Sequence, residues 1–258
     1  FQGNADISIG NVIGSNIFNA LFILGVTAVI LPVSMTDSNR KRDIPVTLAA
    51  SVILVLFGMN KTLLGIGDGD TLSRVEGIAF LLLFCVYLYS CFKFDSKELA
   101  DMTEPKQRKL PLAIFAVAAG LAGLIFGGEL FVDSATDIAR RLGVSDKFIA
   151  ITILAGGTSF PELATCIVAA AKHKDQLALG NILGSNVFNI LLILGCSSVI
   201  TPLSFGGMSL VDVGILIASC VLLLLWAYSG RKCRIDRWEG AVMLLVFAAY
   251  YCYLFVKL

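Results

Sequence analysis

Charge is scarce in this chain, histidine is nearly absent, and paired cysteines are missing. Charged residues make up 15% of it, against about 25% in an average soluble domain, so a surface wetted on all sides is excluded. Lys and Arg number 20 and Asp and Glu 19, a net charge of +1, which offers no basic face to a nucleic acid. The one histidine, His173, sits in the polar loop Lys172-His173-Lys174-Asp175, where it reads as solvated rather than catalytic. The seven cysteines include no Cys-x-x-Cys pair. Cys85, Cys166, Cys196, Cys220 and Cys252 lie within apolar runs and Cys91 and Cys233 near run ends, as small core residues rather than disulfides or ligands. Zinc, copper and iron sites, which need such clusters, are thereby disfavoured.

What is abundant is hydrophobic sequence: 57% of residues, a mean hydropathy of +0.85, and apolar runs long enough to cross a bilayer as helices. Spans are expected near 10–32, 44–60, 72–93, 111–136, 148–171, 176–200, 210–229 and 236–256, eight in all. The chain reads as an all-α polytopic membrane protein. The mixed-charge stretch from Asp95 to Lys109 is the natural boundary between two halves. It divides the chain into 1–94 (three spans), a connecting loop 95–110, and 111–258 (five spans).

Basic residues fix the expected orientation. Loops after spans one, three, five and seven hold Arg40, Lys41, Arg42, Lys97, Lys106, Arg108, Lys109, Lys172, Lys174, Arg231, Lys232, Arg234 and Arg237. The opposite side has Lys61, Arg74, Arg140, Arg141, Lys147 and Lys257. The first set should be cytoplasmic, which places Phe1 and Leu258 outside, in a plasma (inner) membrane.

Two features stand out from the apolar background. The first is Gly156-Gly157-Thr158-Ser159-Phe160-Pro161-Glu162, inside the span at 148–171. Proline and paired glycines break a helix there, and a carboxylate at such depth costs at least ~2.5 kcal/mol unless it meets protein, water or a cation. Broken backbone is tolerated at that depth only where it is buried in protein or lines a cavity. A satisfied acid on a proline kink is the plainer alternative.

The second feature is a duplication. Gly10-Asn11-Val12-Ile13-Gly14-Ser15-Asn16-Ile17-Phe18-Asn19 continues to Gly25 and aligns without gaps on Gly180 to Gly195, with 11 of 16 positions identical. Pro32 and Ser34 keep their offset to Pro202 and Ser204, and Arg74-Val75-Glu76-Gly77 echoes Arg237-Trp238-Glu239-Gly240. The copies lie on spans one and six, an odd number of crossings apart, so the units should cross in opposite directions, as in inverted-repeat transporters. The segment matching Gly156 to Ala170 would end where the chain begins at Phe1, so upstream residues, with at least one span, are expected to be absent.

Ser185 and Asn189 share a helix face, as do Ser15 and Asn19. With Thr158, Ser159, Glu162 and carbonyls loosened from Ala155 onward, every donor is oxygen, which suits a hard cation such as Ca²⁺. The bland reading gives Gly14, Gly184, Asn16 and Asn186 a packing role between helices. Glu129 and Asp133 are open to two readings, lining an ion path or standing solvated. The Gly65 to Asp70 loop lacks the closing glutamate of a calcium loop and reads as a connection.

These residues resemble the alpha repeats of the calcium/cation antiporter superfamily, above all its sodium/calcium exchangers. The resemblance covers essentially the whole chain and implies two inverted five-helix halves, of which eight of ten helices are present here. It implies an antiporter, not an enzyme, exchanging Ca²⁺ for Na⁺ by alternating access at a midplane site, with no cofactor and the bilayer as its surroundings. Glu162 would be the carboxylate shared by both ions, with Thr158, Ser159 and the Ala155 carbonyl beside it, Ser185 and Asn189 from the next helix, and Ser15 and Asn19 from the first repeat. Potassium-dependent relatives carry Asp where this chain has Asn189, which disfavours K⁺ cotransport. Ca²⁺/H⁺ exchange on the same fold stays as the alternative. A cation channel is weaker, since no filter loop appears, and an intramembrane hydrolase on Ser159 lacks a nearby base.

Overall fold

The computed structural model describes residues 5–65, 69–100, 110–143, 155–172, 175–205, 208–229 and 233–257. Within them the protein is helical, with four two-residue strands. The first duplicated segment is one unbroken rod: α1 (Ala5–Ile17), a π-helical stretch (Phe18–Ile23) and α2 (Leu24–Ile30). It leaves helical geometry at Leu31, φ −140° and ψ 124°, because the residue before Pro32 is pushed to extended backbone. Next come β1 (Val33–Ser34), a second π stretch (Asn39–Asp43), α3 (Ile44–Gly58), α4 (Asn60–Leu64), β2 (Thr71–Leu72) and α5 (Arg74–Ala100).

The second half holds α6 (Leu110–Arg141), a short turn α7 (Ala155–Gly157), and α8 (Phe160–Ala171). The other duplicated rod follows as α9 (Asp175–Val187), a π stretch (Phe188–Leu194) and α10 (Gly195–Ile200). It ends at Thr201, φ −142° and ψ 126°, before Pro202, as the first rod ends before Pro32. Then come β3 (Leu203–Ser204), α11 (Leu210–Ser229), β4 (Arg234–Ile235) and α12 (Arg237–Lys257).

Six helices among the described residues are long and apolar enough to cross a membrane: Ile9–Ile30, Arg74–Lys93, Ile114–Arg141, Gln176–Ile200, Leu210–Ser229 and Arg237–Val256. They fall on six of the eight expected spans. Of the other two, α3 is shorter, its first turns taken by the charged π stretch before it. Residues 148–153 of the expected fifth span lie outside the described residues, and α8 supplies its second half. Large apolar side chains such as Leu82, Val86, Phe126, Leu130 and Leu245 face outward, the arrangement a lipid solvent favours and water does not.

The halves are exchanged across a pseudo-twofold axis. Strand β1 pairs antiparallel with β4 (Val33 to Ile235), and β2 with β3 (Thr71 to Ser204), so each half lends a strand to the other. The helices follow suit, α2 packing on α12 and α10 on α5. The Arg-x-Glu-Gly echo becomes intelligible residue by residue. Glu76 accepts the Ser73 amide at 2.6 Å and Glu239 the Asp236 amide at 2.8 Å, capping two helix starts. Arg74 donates to the Ile200 carbonyl at 3.4 Å and Arg237 to the Ile30 carbonyl at 3.5 Å. Gly77 and Gly240 permit close approach: a Cβ on Gly77 would lie 2.2 Å from Ser198 Oγ, and one on Gly240 2.8 Å from the Gly25 carbonyl oxygen.

The symmetry reaches further than the sequence pattern. Tyr87 donates to Asp43 at 3.2 Å and Tyr250 to Asp212 at 2.8 Å, tying α5 to the start of α3 and α12 to the start of α11. Ser51 Oγ and Cys220 Sγ, at matching places on α3 and α11, meet at 3.6 Å.

Candidate functional site

The two duplicated rods cross antiparallel at the centre. Ser15 lies opposite Asn189 and Asn19 opposite Asn186, at 3.4 and 3.1 Å, so residue numbers climb on one rod as they fall on the other. The start of α1 packs on β3, beyond the end of the second rod, and the start of α9 packs on β1, beyond the end of the first. The expected inversion of the repeat is therefore the observed one.

Where they cross, the rods trade side chains reciprocally. Asn16 Nδ2 donates to the Asn186 carbonyl at 3.2 Å, and Asn186 Nδ2 to the Asn16 carbonyl at 3.4 Å. Asn19 Nδ2 donates to Asn186 Oδ1 at 3.1 Å, and Asn189 Nδ2 to Asn16 Oδ1 at 2.9 Å. Asn16 and Asn186 are the inter-helix connectors that the bland reading allowed, and they also orient Asn19 and Asn189. Both of those side chains belong to the π stretches, a helix form that concentrates at functional positions.

The third contributor is the broken helix. Its two-residue break, Thr158 and Ser159, separates α7 from α8, and Ser159 leaves helical geometry at φ −102° and ψ 4°. Pro161 sits in the first turn of α8, where its missing amide is harmless. The Gly156 carbonyl accepts the Ser159 amide and the Ser159 carbonyl the Leu163 amide, both at 3.0 Å. Gly157 lies against Val132 of α6 and Gly156 against Phe18.

This break delivers Ser159 and Glu162 to the crossing. Ser159 Oγ shares a hydrogen bond with Ser15 Oγ at 2.9 Å, and Ser185 Oγ donates to Glu162 Oε1 at 3.0 Å. Ser15, Asn19 and Ser159 are buried; Glu162, Ser185 and Asn189 are half-buried. Two oxygens in the cluster, Glu162 Oε2 and Asn19 Oδ1, are buried with no hydrogen-bond partner among the described residues. Leaving such a group unpaired costs ~1–3 kcal/mol, more when it is charged.

Of the eight residues the sequence nominated, six thus make side-chain hydrogen bonds at the crossing: Ser159, Ser15, Asn189 and Asn19 in one chain of bonds that runs through Asn16 and Asn186, and Glu162 with Ser185 beside it. Thr158 stands exposed in the break beside Ser159, and Ala155 opens α7. Glu129 and Asp133 are exposed on α6. Asp70 ends as a connector, accepting the Thr62 amide at 2.8 Å and the Thr62 hydroxyl. A groove of about 810 Å³ between α3 and α5 includes none of these residues. Sequence reasoning missed Thr165 and Asn181, which join α8 to α9 at 2.9 Å; Asn181 recurs as Asn11 in the first copy, and that recurrence was the available signal.

A helical membrane protein of two inverted, interlocked repeats, with a polar cluster buried where they cross, belongs to the class of inverted-repeat membrane transporters. The sodium/calcium exchanger protein family model matches residues 1–93 and 112–256, and the chain belongs to that family of membrane cation exchangers. It is 31% identical to the sodium/calcium exchanger MaX1 of Methanosarcina acetivorans, over 98% of this chain and 81% of that one. It is 34% identical to the inner membrane protein YrbG of Escherichia coli, over 76% of this chain and 61% of that one. Among solved structures it is similar to the sodium-calcium exchanger NCX_Mj, with a TM-score of 0.77 and 31% identity over 96% of this chain and 77% of that one.

Proposed function

We propose that this protein carries Ca²⁺ and Na⁺ in exchange for one another, by alternating access to the oxygen cluster where the repeats cross. The observation that carries the reading is the pair of unpartnered buried oxygens, Glu162 Oε2 and Asn19 Oδ1, one from each repeat. An arriving cation would satisfy both. It would draw further oxygens from Ser15, Ser159 and Asn189, whose hydrogen bonds to one another can open to accept it, from Ser185, which donates to Glu162 in its absence, and from Thr158 and the Ala155 carbonyl at the break. Ca²⁺ accepts about 6–8 such oxygens in a tolerant geometry. The sodium/calcium exchangers among its relatives support this choice of ions.

Inverted repeats supply the alternation. Two units that lend each other equivalent strands and helices can exchange conformations, opening the same cluster first to one side and then to the other. The loops rich in Lys and Arg face the cytoplasm in this reading, so the loop at 172–174 is cytoplasmic and Phe1 lies outside.

The test is Ca²⁺ uptake by reconstituted vesicles. Uptake should require an opposing Na⁺ gradient and vanish in Glu162→Gln. Uptake driven by a proton gradient and indifferent to Na⁺ would move the protein to Ca²⁺/H⁺ exchange, and flux without any counter-ion would make it a channel.

A further inference from the structure

The first π stretch is gripped from two sides. Its opening residue, Phe18, is buried, and the ring of Phe22, four residues on, lies 4.7 Å from it. Both rings meet Phe247 of α12, at 5.6 and 5.1 Å, and Phe247 in turn packs on Tyr251 at 4.2 Å. The far edge of the Phe18 ring lies over Gly156 of the helix break. A Cβ on Gly156 would meet Cε2 of that ring at 3.3 Å, closer than the ~3.5–4.0 Å at which such carbons rest. Asn19, the next residue, reaches across to Asn186 on the second rod. One side chain of the π stretch thus holds the break, and its neighbour holds the cluster.

The aromatic pair recurs in the other repeat. Phe188 opens the second π stretch and packs edge to face on Phe84 of α5, at 4.8 Å and 87°, as Phe18 packs on Phe247 at 78°. Phe188 and Phe84 hold the places equivalent to Phe18 and Phe247, so each pair joins a ring of one repeat to a ring of the other. Core packing accounts for buried rings, but not for a glycine under one of them at this point of the chain. The Gly156 carbonyl accepts the Ser159 amide at 3.0 Å, and Ser159 Oγ bonds to Ser15 Oγ at 2.9 Å. The Ser159 carbonyl accepts the Leu163 amide, closing the turn that carries Glu162. On the other side of the break Gly157 closes against Val132 of α6, where a Cβ would lie 2.2 Å from Cγ2. The glycine pair is held between two jaws, and the Phe18 jaw belongs to the rod that carries Asn19.

We propose that Phe18 is a positioning residue of the cation site. Braced by Phe22 and Phe247, it seats the helix break at Gly156 and so sets the spacing between the oxygens of Ser159 and Glu162, from the second repeat, and those of Ser15 and Asn19, from the first. A bound cation needs both sets within coordination distance at once, about 2.3–2.6 Å for Ca²⁺, so a small displacement at Gly156 is felt as lost affinity. The inference rests on the exchange reading above, and it adds a residue that touches no ion.

The experiment is a double-variant cycle on the full chain. It is read as half-saturating Ca²⁺ for Na⁺-driven uptake and, without transport, as the rise in unfolding temperature that Ca²⁺ brings. Gly156→Ala should raise half-saturating Ca²⁺ about tenfold, the order of one overpacked contact, and shrink the Ca²⁺-dependent rise. Phe18→Leu, which withdraws the far edge of the ring, should raise it about fivefold. On that background the added methyl meets no Cε2, so Gly156→Ala should cost little further and the two losses should not add. Phe80→Leu trims a ring that is also buried and stacks on Phe57 at 5.8 Å, away from the break. It should lower the unfolding temperature without Ca²⁺ and leave half-saturating Ca²⁺ unchanged. Additive losses in the cycle, or a Phe80→Leu effect on half-saturating Ca²⁺ as large as that of Phe18→Leu, overturn the proposal. Should Gly156→Ala not fold, the comparison of Phe18→Leu with Phe80→Leu decides by itself. An unaltered protein that neither takes up Ca²⁺ nor is stabilised by it would defeat the exchange reading and this seat with it, whereas a responsive protein with additive losses defeats the seat alone.

Discussion

Asn16 and Asn186 each donate a side-chain amide to the other's backbone carbonyl, at 3.2 and 3.4 Å. Equivalent residues of two inverted repeats thus form a reciprocal pair at the pseudo-axis, and the same two side chains fix Asn19 and Asn189. The pair is where the fold and the candidate site are the same object.

Removing one member should cost more than one bond. In Asn186→Ala the Asn19 amide loses its acceptor and the Asn16 carbonyl loses a side-chain donor in a buried setting, an expected loss of ~1–3 kcal/mol. Thermal unfolding in detergent should show it.

Ser185 donates to Glu162 Oε1 at 3.0 Å, and a hydrogen bond to a charged group is worth about 1.5–3 kcal/mol. Ser185→Ala should therefore raise half-saturating Ca²⁺ by about tenfold or more without abolishing exchange, in contrast to Glu162→Gln. Equal loss in the two variants would show that Ser185 does more than orient the carboxylate.

Asn189 donates to Asn16 Oδ1 at 2.9 Å and to Ser15 Oγ at 3.4 Å. An aspartate there can keep the first bond only while protonated, since an ionised carboxylate would face the Asn16 carbonyl oxygen. The cation-free Asn189→Asp variant should thus be stabilised at low pH and lose that stability as pH rises through its folded-state pKa, with Ca²⁺ restoring it. Unfolding temperatures across pH, with and without Ca²⁺, decide the point.

Gly240 has no space for a side chain, since a Cβ would approach both Ala28 Cβ and the Gly25 carbonyl oxygen to 2.8 Å. Gly240→Val should force α12 off α2 and cost ~1–3 kcal/mol, and Gly77→Val should do the same between α5 and α10. Melting temperature read beside Na⁺-driven Ca²⁺ uptake would separate this packing loss from a site defect.

Outside the membrane spans, the bonds from Thr62 hold the Asp70 carboxyl below the ordinary carboxylate range. A lowered folded-state value contributes stability above the unfolded pKa and loses it as pH falls through the folded one. The Thr62 amide, which donates to Asp70 at 2.8 Å, should accordingly exchange its hydrogen faster, relative to the intrinsic rate, in acid than at neutral pH. Protection that stays constant through the acid range would mean that the contact contributes nothing.

Much of this was legible in the residues themselves. Apolar runs fixed six spans, because a bilayer leaves a chain few alternatives to helices of that length. Pro32 and Pro202 marked where both rods stop, and Gly-Gly-Thr-Ser-Phe-Pro-Glu marked the break, since each acts through its own backbone. The duplicated polar frame on an odd separation determined the inversion.

Only the tertiary structure decided which oxygen meets which. A repeat states that Asn16 and Asn186 are equivalent, not that equivalents touch across an axis, nor that Ser15 reaches Ser159 while Ser185 reaches Glu162. The π stretches that carry Asn19 and Asn189 were invisible for the same reason: a one-residue slip in helical hydrogen bonding is set by what the helix packs against, not by its own residues. Sequence supplies the donors and the symmetry, but the distances that make a cluster of them arise from the interlocking of two halves far apart in the chain.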